Sequence, residues 1–369
     1  RDVVVDIENV PIDDLKTFNM LARGETEGTF QLNGSGMTRW LKELRPTTIH
    51  DINAMVALYR PGPMETIPQY IERKQNPKLI RFVDPRMKDY LDFSYGLLVY
   101  QDDVLLTAIK LAGYSWLEAD SLRKAMGKKI PAVMQAEKEK LLKGFVEFGK
   151  LSSEKAEILW ELIEPFAAYG FNKAHAASYG KVAYQTSYMK ANYPVEYFAA
   201  LLTADSGDTE QISLFVTEAK RMNIPVLPPD VNESGSAFTV VGEKKDTIRF
   251  GLSSIKNFGD GISEAIIAER KKHGPFKTLS EFLSRVGSKN LNRKSLESLI
   301  KCGALDSLSP SEGGRGTLLE NIESLLAFHR EATALAPQDS LFGALIALPS
   351  LTLPAGKPIS LLDKLAWEK

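Results

Sequence analysis

Between Ile12 and Leu202 apolar residues recur at three- and four-residue spacing in one segment after another. That spacing lines one face of an α-helix and leaves a strand no consistent side, so the chain must be built mainly from helices. The spacing predicts helices over Ile12–Leu21, Met37–Glu43, Ile49–Tyr59, Asp102–Ala112, Leu117–Met126, Pro131–Phe148 and Ser153–Phe166, and continues through Val182–Tyr188 and Val195–Leu202. Stop signals fall between them. Asp51 is expected to cap the helix that ends before the stiff turn Arg60-Pro61-Gly62-Pro63, and Gly127 to close the helix that carries Arg123. Period-two alternation occurs in short pieces only, at Asp2–Ile7, Gly96–Tyr100, Ala237–Val241 and Thr247–Gly251. The expected class is mainly α with short β segments, and 369 residues are enough for two or three domains.

Composition narrows the setting. A single cysteine, Cys302, cannot form an internal disulfide, and His50, His175, His273 and His329 are too scattered for a zinc site. A reducing, cytoplasmic location is expected, with no membrane partner, because no basic-then-apolar leader and no apolar stretch of membrane-spanning length occurs. The chain opens on Arg1 with a strand-like pattern already under way, which leads us to expect an internal piece of a larger protein. Prolines 225, 228 and 229 mark a boundary, Ser309–Gly316 a break, and the apolar, proline-spaced stretch after Pro337 a linker.

The net charge of -1 hides a local asymmetry, which governs partner choice more than the total does. From Pro165 to Val195 there is no Asp or Glu, while Lys173, Lys181 and Lys190 stand among five tyrosines. Arg123, Lys124, Lys128 and Lys129 form a second basic knot, and the two are expected to make one concave, cationic surface. Forked guanidinium contacts and mobile ammonium charge suit phosphate oxygens, although cations also gather at a helix C-terminus for the dipole alone. Within Tyr169–Tyr179, Asn172, Lys173, His175 and Tyr179 combine an amide, a cation, an imidazole and a ring between small residues, a mixture suited to a nucleotide. A structural histidine is the plainer alternative.

Nothing resembles a carboxylate pair able to share two metals about 4 Å apart. Asp102 and Asp103 are adjacent and so point apart, and Asp103 is read as a solvated helix-start residue. Ile255-Lys256-Asn257-Phe258-Gly259-Asp260-Gly261 has the glycine-bounded pattern of a helix-hairpin-helix, which aims backbone N–H groups at a DNA phosphate. Leu299–Leu305 looks like a degenerate second copy. A tight turn serving only its own domain is the alternative for both. Gln338-Asp339-Ser340-Leu341-Phe342 places two large apolar anchors in the expected linker, which suits a docking peptide.

In this order the motifs resemble the α subunit of bacterial DNA polymerase III, the C-family replicative polymerase. The resemblance covers essentially the whole chain. It is carried by Thr26–Leu32, Ala57–Pro63, Tyr95–Asp102, Leu122–Lys129, Tyr169–Tyr179, Tyr184-Gln185, Leu227–Asn232 and Leu291-Asn292-Arg293. It implies the end of a palm and entry to the fingers over 1–40, a helical fingers domain over 41–224, a clamp-binding domain with a helix-hairpin-helix over 225–335, and a linker with a clamp peptide over 336–369. On this resemblance Arg123, Lys124, Lys128, Lys129, Asn172, Lys173, His175 and Tyr179 bind the incoming dNTP, and His175 lies near its sugar. Arg60, Ile255, Lys256, Asn257, Gly259 and Gly261 hold primer-template DNA, and residues 338–342 hold the β sliding clamp. Ala174 and Ala176 stand where the family often has serine. No catalytic or metal-binding residue is expected in this chain. The catalytic aspartates and their Mg2+ lie upstream in the family, and other replicase holoenzyme subunits are implied as partners. The reading from another class is a noncatalytic DNA-binding adaptor tethered to a clamp.

Overall fold

The computed structural model describes residues 3–128, 131–166, 170–287, 291–309, 313–335 and 351–367. The chain divides into two compact units, Arg1–Asn192 and Tyr193–Lys369.

In the first unit, α1 (Leu15–Ala22), α2 (Ser35–Leu44), α3 (Ile49–Leu58) and α4 (Ile67–Gln75) enclose a core with the long helix α10 (Lys173–Asn192). Leu21, Leu41, Ile52, Met55, Tyr70 and Tyr184 lie at its centre. A second core is built by α5 (Lys88–Leu91), α6 (Gln101–Ala112), α7 (Trp116–Lys128), α8 (Pro131–Glu147) and α9 (Ser153–Ile163), around Val104, Leu111, Leu122, Leu141, Phe145 and Leu159. Helix α7 runs through Gly127 to Lys128, so that glycine does not close it. A glycine in a helix costs entropy but does not by itself end the hydrogen-bond ladder.

Two strand-like segments are not strands. Val3–Asp6 pairs with no strand among the described residues, and Ile7–Asn9 forms one 3-10 turn. Gly96–Tyr100 is extended between the two cores, with Leu97 and Val99 in the first and Leu98 in the second. Its period-two pattern reflects two cores rather than two faces of a sheet. In place of a ladder partner, the Asp103 carboxylate accepts the N–H groups of Val99 at 3.0 Å and Tyr100 at 2.9 Å.

Asp51 sits inside the first turn of α3 rather than at its start, and Thr48 is the N-cap. Its fully buried carboxylate accepts the N–H of Thr47 at 2.9 Å and of Thr48 at 3.1 Å, the Tyr70 and Tyr95 hydroxyls at 3.2 Å each, and the Lys74 ammonium at 2.7 Å.

Helix α10 is not amphipathic in the usual sense. The face it buries is made of Ala176, Gly180, Ala183, Tyr184, Ser187, Lys190 and Ala191, mostly small residues at helical spacing. Small residues bring its backbone against α3: a Cβ at Gly180 would lie 1.8 Å from Asn53 Oδ1 and 3.3 Å from Asn53 Cα.

The second unit starts with α11 (Pro194–Ala204) and α12 (Thr209–Arg221), which pack on a small sheet. Strand β1 (Val226–Leu227) runs parallel to β3 (Thr247–Arg249), and β2 (Thr239–Val241) antiparallel to it, in the order β1-β3-β2. The sequence indicated β2 and β3 but not β1, which is hidden between Pro225 and Pro228. A separate core gathers α13 (Asp260–His273), α14 (Leu279–Arg285), α15 (Arg293–Lys301), α16 (Arg315–Glu320) and α17 (Ile322–Leu335). Within the stretch expected as a linker, Leu351 and Leu353 pack on this core. The Gly356 N–H donates to Thr317 Oγ1 at 3.0 Å, and Asn321 donates to the Pro354 carbonyl at 3.0 Å. A short helix, α18 (Leu361–Trp367), follows.

The α10–α3 contact generates a direct test. Gly180→Ala should destabilise the folded chain by about 1–3 kcal/mol, the usual cost of an extra group in a closed contact. Asn53→Ala on that background should recover part of the loss, and urea unfolding of the double-mutant cycle measures both.

Candidate nucleotide-binding surface

The acid-free segment places its functional side chains through one capping event. Asn172 precedes the first turn of α10, and its Oδ1 accepts the His175 N–H at 2.9 Å. One side-chain carbonyl is therefore committed to the helix start, where backbone donors lack partners. Asp102 reaches the same turn from α6, accepting the Lys173 N–H at 2.8 Å, and the Gln101 N–H donates to the Phe171 carbonyl at 2.9 Å.

Phe171 just before that start and His175 and Tyr179 on the helix fall at four-residue spacing, His175 exposed and the other two half-buried. Ring centroids lie 5.2 Å apart for Phe171–His175 and 4.2 Å for His175–Tyr179. Phe30 extends the row at 5.4 Å from Tyr179, and the Arg60 guanidinium lies 4.4 Å from the Phe171 centroid at the other end. The Lys173 ammonium stands 5.4 Å from the Tyr100 ring. The result is a row of π faces flanked by two cations, the arrangement that stacks bases and attracts phosphates.

The structure therefore brings together Asn172, Lys173, His175 and Tyr179 and adds Arg60, which the sequence placed on DNA. Phe30, Phe171, Tyr100 and Asp102 were missed. Phe171 was within reach of sequence reasoning, since 171, 175 and 179 are spaced four residues apart. Phe30 and Asp102 were not, because they arrive from distant segments.

The single cationic surface is corrected. Lys190 is fully buried, donating to the carbonyls of Glu25 at 2.9 Å and Glu27 at 2.7 Å, and Lys181 pairs with Glu8 at 2.6 Å. Ammonium groups on the inward side of a helix find backbone oxygens rather than ligands. In the upstream knot Asp120 holds both Arg123, at 2.7 Å, and Lys124, at 2.7 Å. Lys129 and the side chain of Lys128 lie outside the described residues. Ala176 is buried against the core, so a hydroxyl there would not line the exposed row, whereas Ala174 is exposed.

Asp103 is also corrected. It occupies the first turn of α6 as expected, but it is 1% exposed rather than solvated. Burial pushes its carboxyl up to about 6, against the opposing effect of the Tyr100 and Val99 N–H bonds. Its Oδ1 has no hydrogen-bond partner.

In the second unit, one 3-10 turn (Leu252–Ser254) replaces the first helix of the expected motif. Ile255 is half-buried and Phe258 buried, so both anchor the hairpin. Lys256, Asn257, Gly259 and Gly261 are exposed, and Asn257 adopts φ 65°. Gly259 caps α13 with open space where a Cβ would stand. The second copy is closed off. Gly303, at φ 83°, leaves room for the Arg315 guanidinium 2.2 Å from where its Cβ would be. Arg315 donates to the Asp306 carboxylate and to the Lys301 carbonyl at 2.9 Å. That turn serves its own domain. Gln338, Asp339, Ser340, Leu341 and Phe342 lie outside the described residues.

The family model for the bacterial DNA polymerase III alpha subunit finger domain matches residues 1–149, and one for a helix-hairpin-helix motif matches residues 223–314. The chain is 43% identical to the DNA polymerase III subunit alpha of Thermus aquaticus over 374 residues, covering 100% of this chain and 30% of that protein. The namesake of Chlamydia pneumoniae is 44% identical over 86% of this chain and 25% of its own length, and that of Borreliella burgdorferi 43% over 92% and 29%. The chain belongs to the bacterial DNA polymerase III alpha-subunit family. A helical finger domain followed by a helix-hairpin-helix domain is the order the family leads one to expect. The chain spans about 30% of the length of the Thermus relative. No helix among the described residues is long and apolar enough to cross a membrane.

The raised Asp103 carboxyl makes stability depend on pH. Between the ordinary value of 3.8 and about 6 the folded chain holds a proton that the unfolded chain has lost. The stabilisation is complete below the lower value and is lost as pH rises through the upper one. Relative to Asp103→Asn, the wild-type chain should lose about 2–3 kcal/mol between pH 4 and pH 7. Unfolding midpoints of the two proteins across that range give the difference.

Proposed function

We propose that this chain supplies the nucleotide- and DNA-holding part of a template-directed, replicative DNA polymerase. The observation that carries this reading is the exposed row from Phe30 through Tyr179, His175 and Phe171 to Arg60, with Lys173 beside it. On this reading an incoming dNTP lays its base and sugar against the rings and its phosphates toward Lys173 and, past Asp120, toward Arg123 and Lys124. The exposed hairpin at Lys256, Asn257, Gly259 and Gly261 grips duplex phosphates without reading sequence.

Phosphoryl transfer of this kind uses magnesium held by converging carboxylates. Among the described residues no three or more His, Cys, Asp or Glu are grouped to hold a metal. We assign the ion and its carboxylates to parts of the polymerase outside this chain, and catalysis to the longer protein. The adaptor alternative gives no role to a ring row with an adjoining ammonium.

Residues 338–342 we propose as the peptide that docks on a β sliding clamp, with support from the sequence pattern alone. Other holoenzyme subunits are proposed as partners on the family resemblance.

Two outcomes check these assignments in the full-length polymerase. Lys173→Ala should raise the KM for dNTP about tenfold or more, the value of one lost charge-assisted phosphate contact, and an unchanged KM would favour the adaptor. Replacing Leu341 and Phe342 together by alanine should abolish clamp binding in a pull-down or surface-resonance assay while short-primer synthesis persists, since apolar anchors carry most of such a peptide's affinity.

A further inference from the structure

The loop before α2 is built in a way that core packing does not require. In Thr29-Phe30-Gln31-Leu32, Leu32 is fully buried while Phe30 is left 38% exposed. Both residues lie in turns rather than in an extended segment, so no strand alternation fixes which of them faces the core. Gln31 adopts φ 60°, a left-handed conformation unfavourable for a side chain of its kind, and this turns Leu32 inward and leaves Phe30 outside. Local strain of this sort collects where function requires a particular geometry.

The loop is also held by hydrogen bonds from its own hydroxyl and by hydrogen bonds with α10. The buried Lys190 ammonium donates to the carbonyls of Glu25 and Glu27, the Thr29 hydroxyl donates to the Thr26 carbonyl at 2.6 Å, and the Phe30 N–H donates to Thr186 Oγ1 at 3.1 Å. Burying an ammonium is expensive unless its donors are satisfied, and here they are spent on fixing a surface loop. The outward product of this anchoring is one ring, set 5.4 Å from Tyr179 at an interplanar angle of 47°. Tyr179 in turn lies 4.2 Å from His175, which therefore has an aromatic neighbour on either side along the row.

We infer that Phe30 is a positioning residue for the incoming nucleotide: its ring braces Tyr179 and, through Tyr179, holds the His175 imidazole in a preset orientation. The inference rests on the nucleotide reading of this surface. The nucleotide then meets rings whose rotamers are already fixed, and binding loses less conformational freedom. The role belongs to the ring face, because an aliphatic side chain of similar bulk fills space without the orientation preference of an aromatic pair.

The test is steady-state primer extension by the full-length polymerase, with primer-template affinity measured alongside. Phe30→Leu should raise the KM for dNTP about three- to tenfold, the worth of one aromatic pair, with kcat within about twofold and primer-template affinity unchanged. Phe30→Tyr, which keeps the ring, should stay near wild type. Thr186→Val removes the hydroxyl that receives the Phe30 N–H and should give a smaller KM rise in the same direction, a readout that remains if Phe30→Leu folds poorly. A Phe30→Leu KM within about twofold of wild type, or a Phe30→Tyr enzyme as impaired as Phe30→Leu, overturns the inference. His175→Ala separates the levels. If it raises KM while Phe30→Leu does not, the positioning role alone falls. If neither changes KM, the nucleotide reading falls and takes the positioning role with it.

Discussion

Two neighbouring carboxylates at the start of α6 hold the first unit together. Adjacent residues on a helix point apart, and here each direction is used. Asp103 turns inward and accepts the N–H groups of Val99 and Tyr100, which fixes the extended segment lying between two hydrophobic cores. Asp102 turns outward and accepts the Lys173 N–H, which fixes the start of α10. The helix that packs on α7 is thereby tied to the helix that presents His175, through the Asp102 carboxylate and through the backbone bond from the Gln101 N–H to the Phe171 carbonyl. Burying Asp103 costs solvation, as its raised pKa reflects, and the two short N–H contacts offset part of that cost.

The candidate surface depends on α10 being two-sided in an uncommon sense. Its inner face is small, so Gly180 can approach Asn53 and the helix lies deep against α3. Its outer face can then carry bulky rings without burying them. Charge is sorted in the same way. Lys190 faces in and satisfies carbonyls of the 25–27 segment, while Lys173 faces out beside Tyr100. A run of lysines without acids is thus divided by helical geometry into one structural cation, one paired with Glu8 and one exposed beside the rings.

In the second unit the two hairpins show how similar strings take different roles. At Lys256–Gly261 the polar residues and glycines are exposed, while Phe258 plugs the core beneath them. At Lys301–Leu305 the corresponding space is filled by Arg315, whose hydrogen bonds to Asp306 and Lys301 occupy the turn from within. The difference lies in a side chain that comes from a later helix.

Much of this was legible in the chain itself. Helical spacing located α1–α3, α6–α9 and α11 to within a few residues, but only Val182–Tyr188 of the longer α10, because a 3.6-residue repeat of apolar side chains is a local property and the first half of α10 buries small residues instead. The Tyr169–Tyr179 motif likewise marked the segment from which Asn172, Lys173, His175 and Tyr179 gather at the start of α10. Alternation was less informative: the pattern of Leu97, Leu98 and Val99 implies two environments on opposite sides, but whether these are sheet faces or separate cores depends on what packs there. Burial of Asp103, withdrawal of Lys190 and arrival of Phe30 beside Tyr179 were decided by tertiary structure alone. The first is set by the surrounding core and the other two by partners about 150 to 165 residues away, and no local pattern encodes such distances. The sequence by itself determined most helices of the first unit and which segments concentrate cations, rings and amides, because both are local properties. Packing decided which of those residues face solvent together.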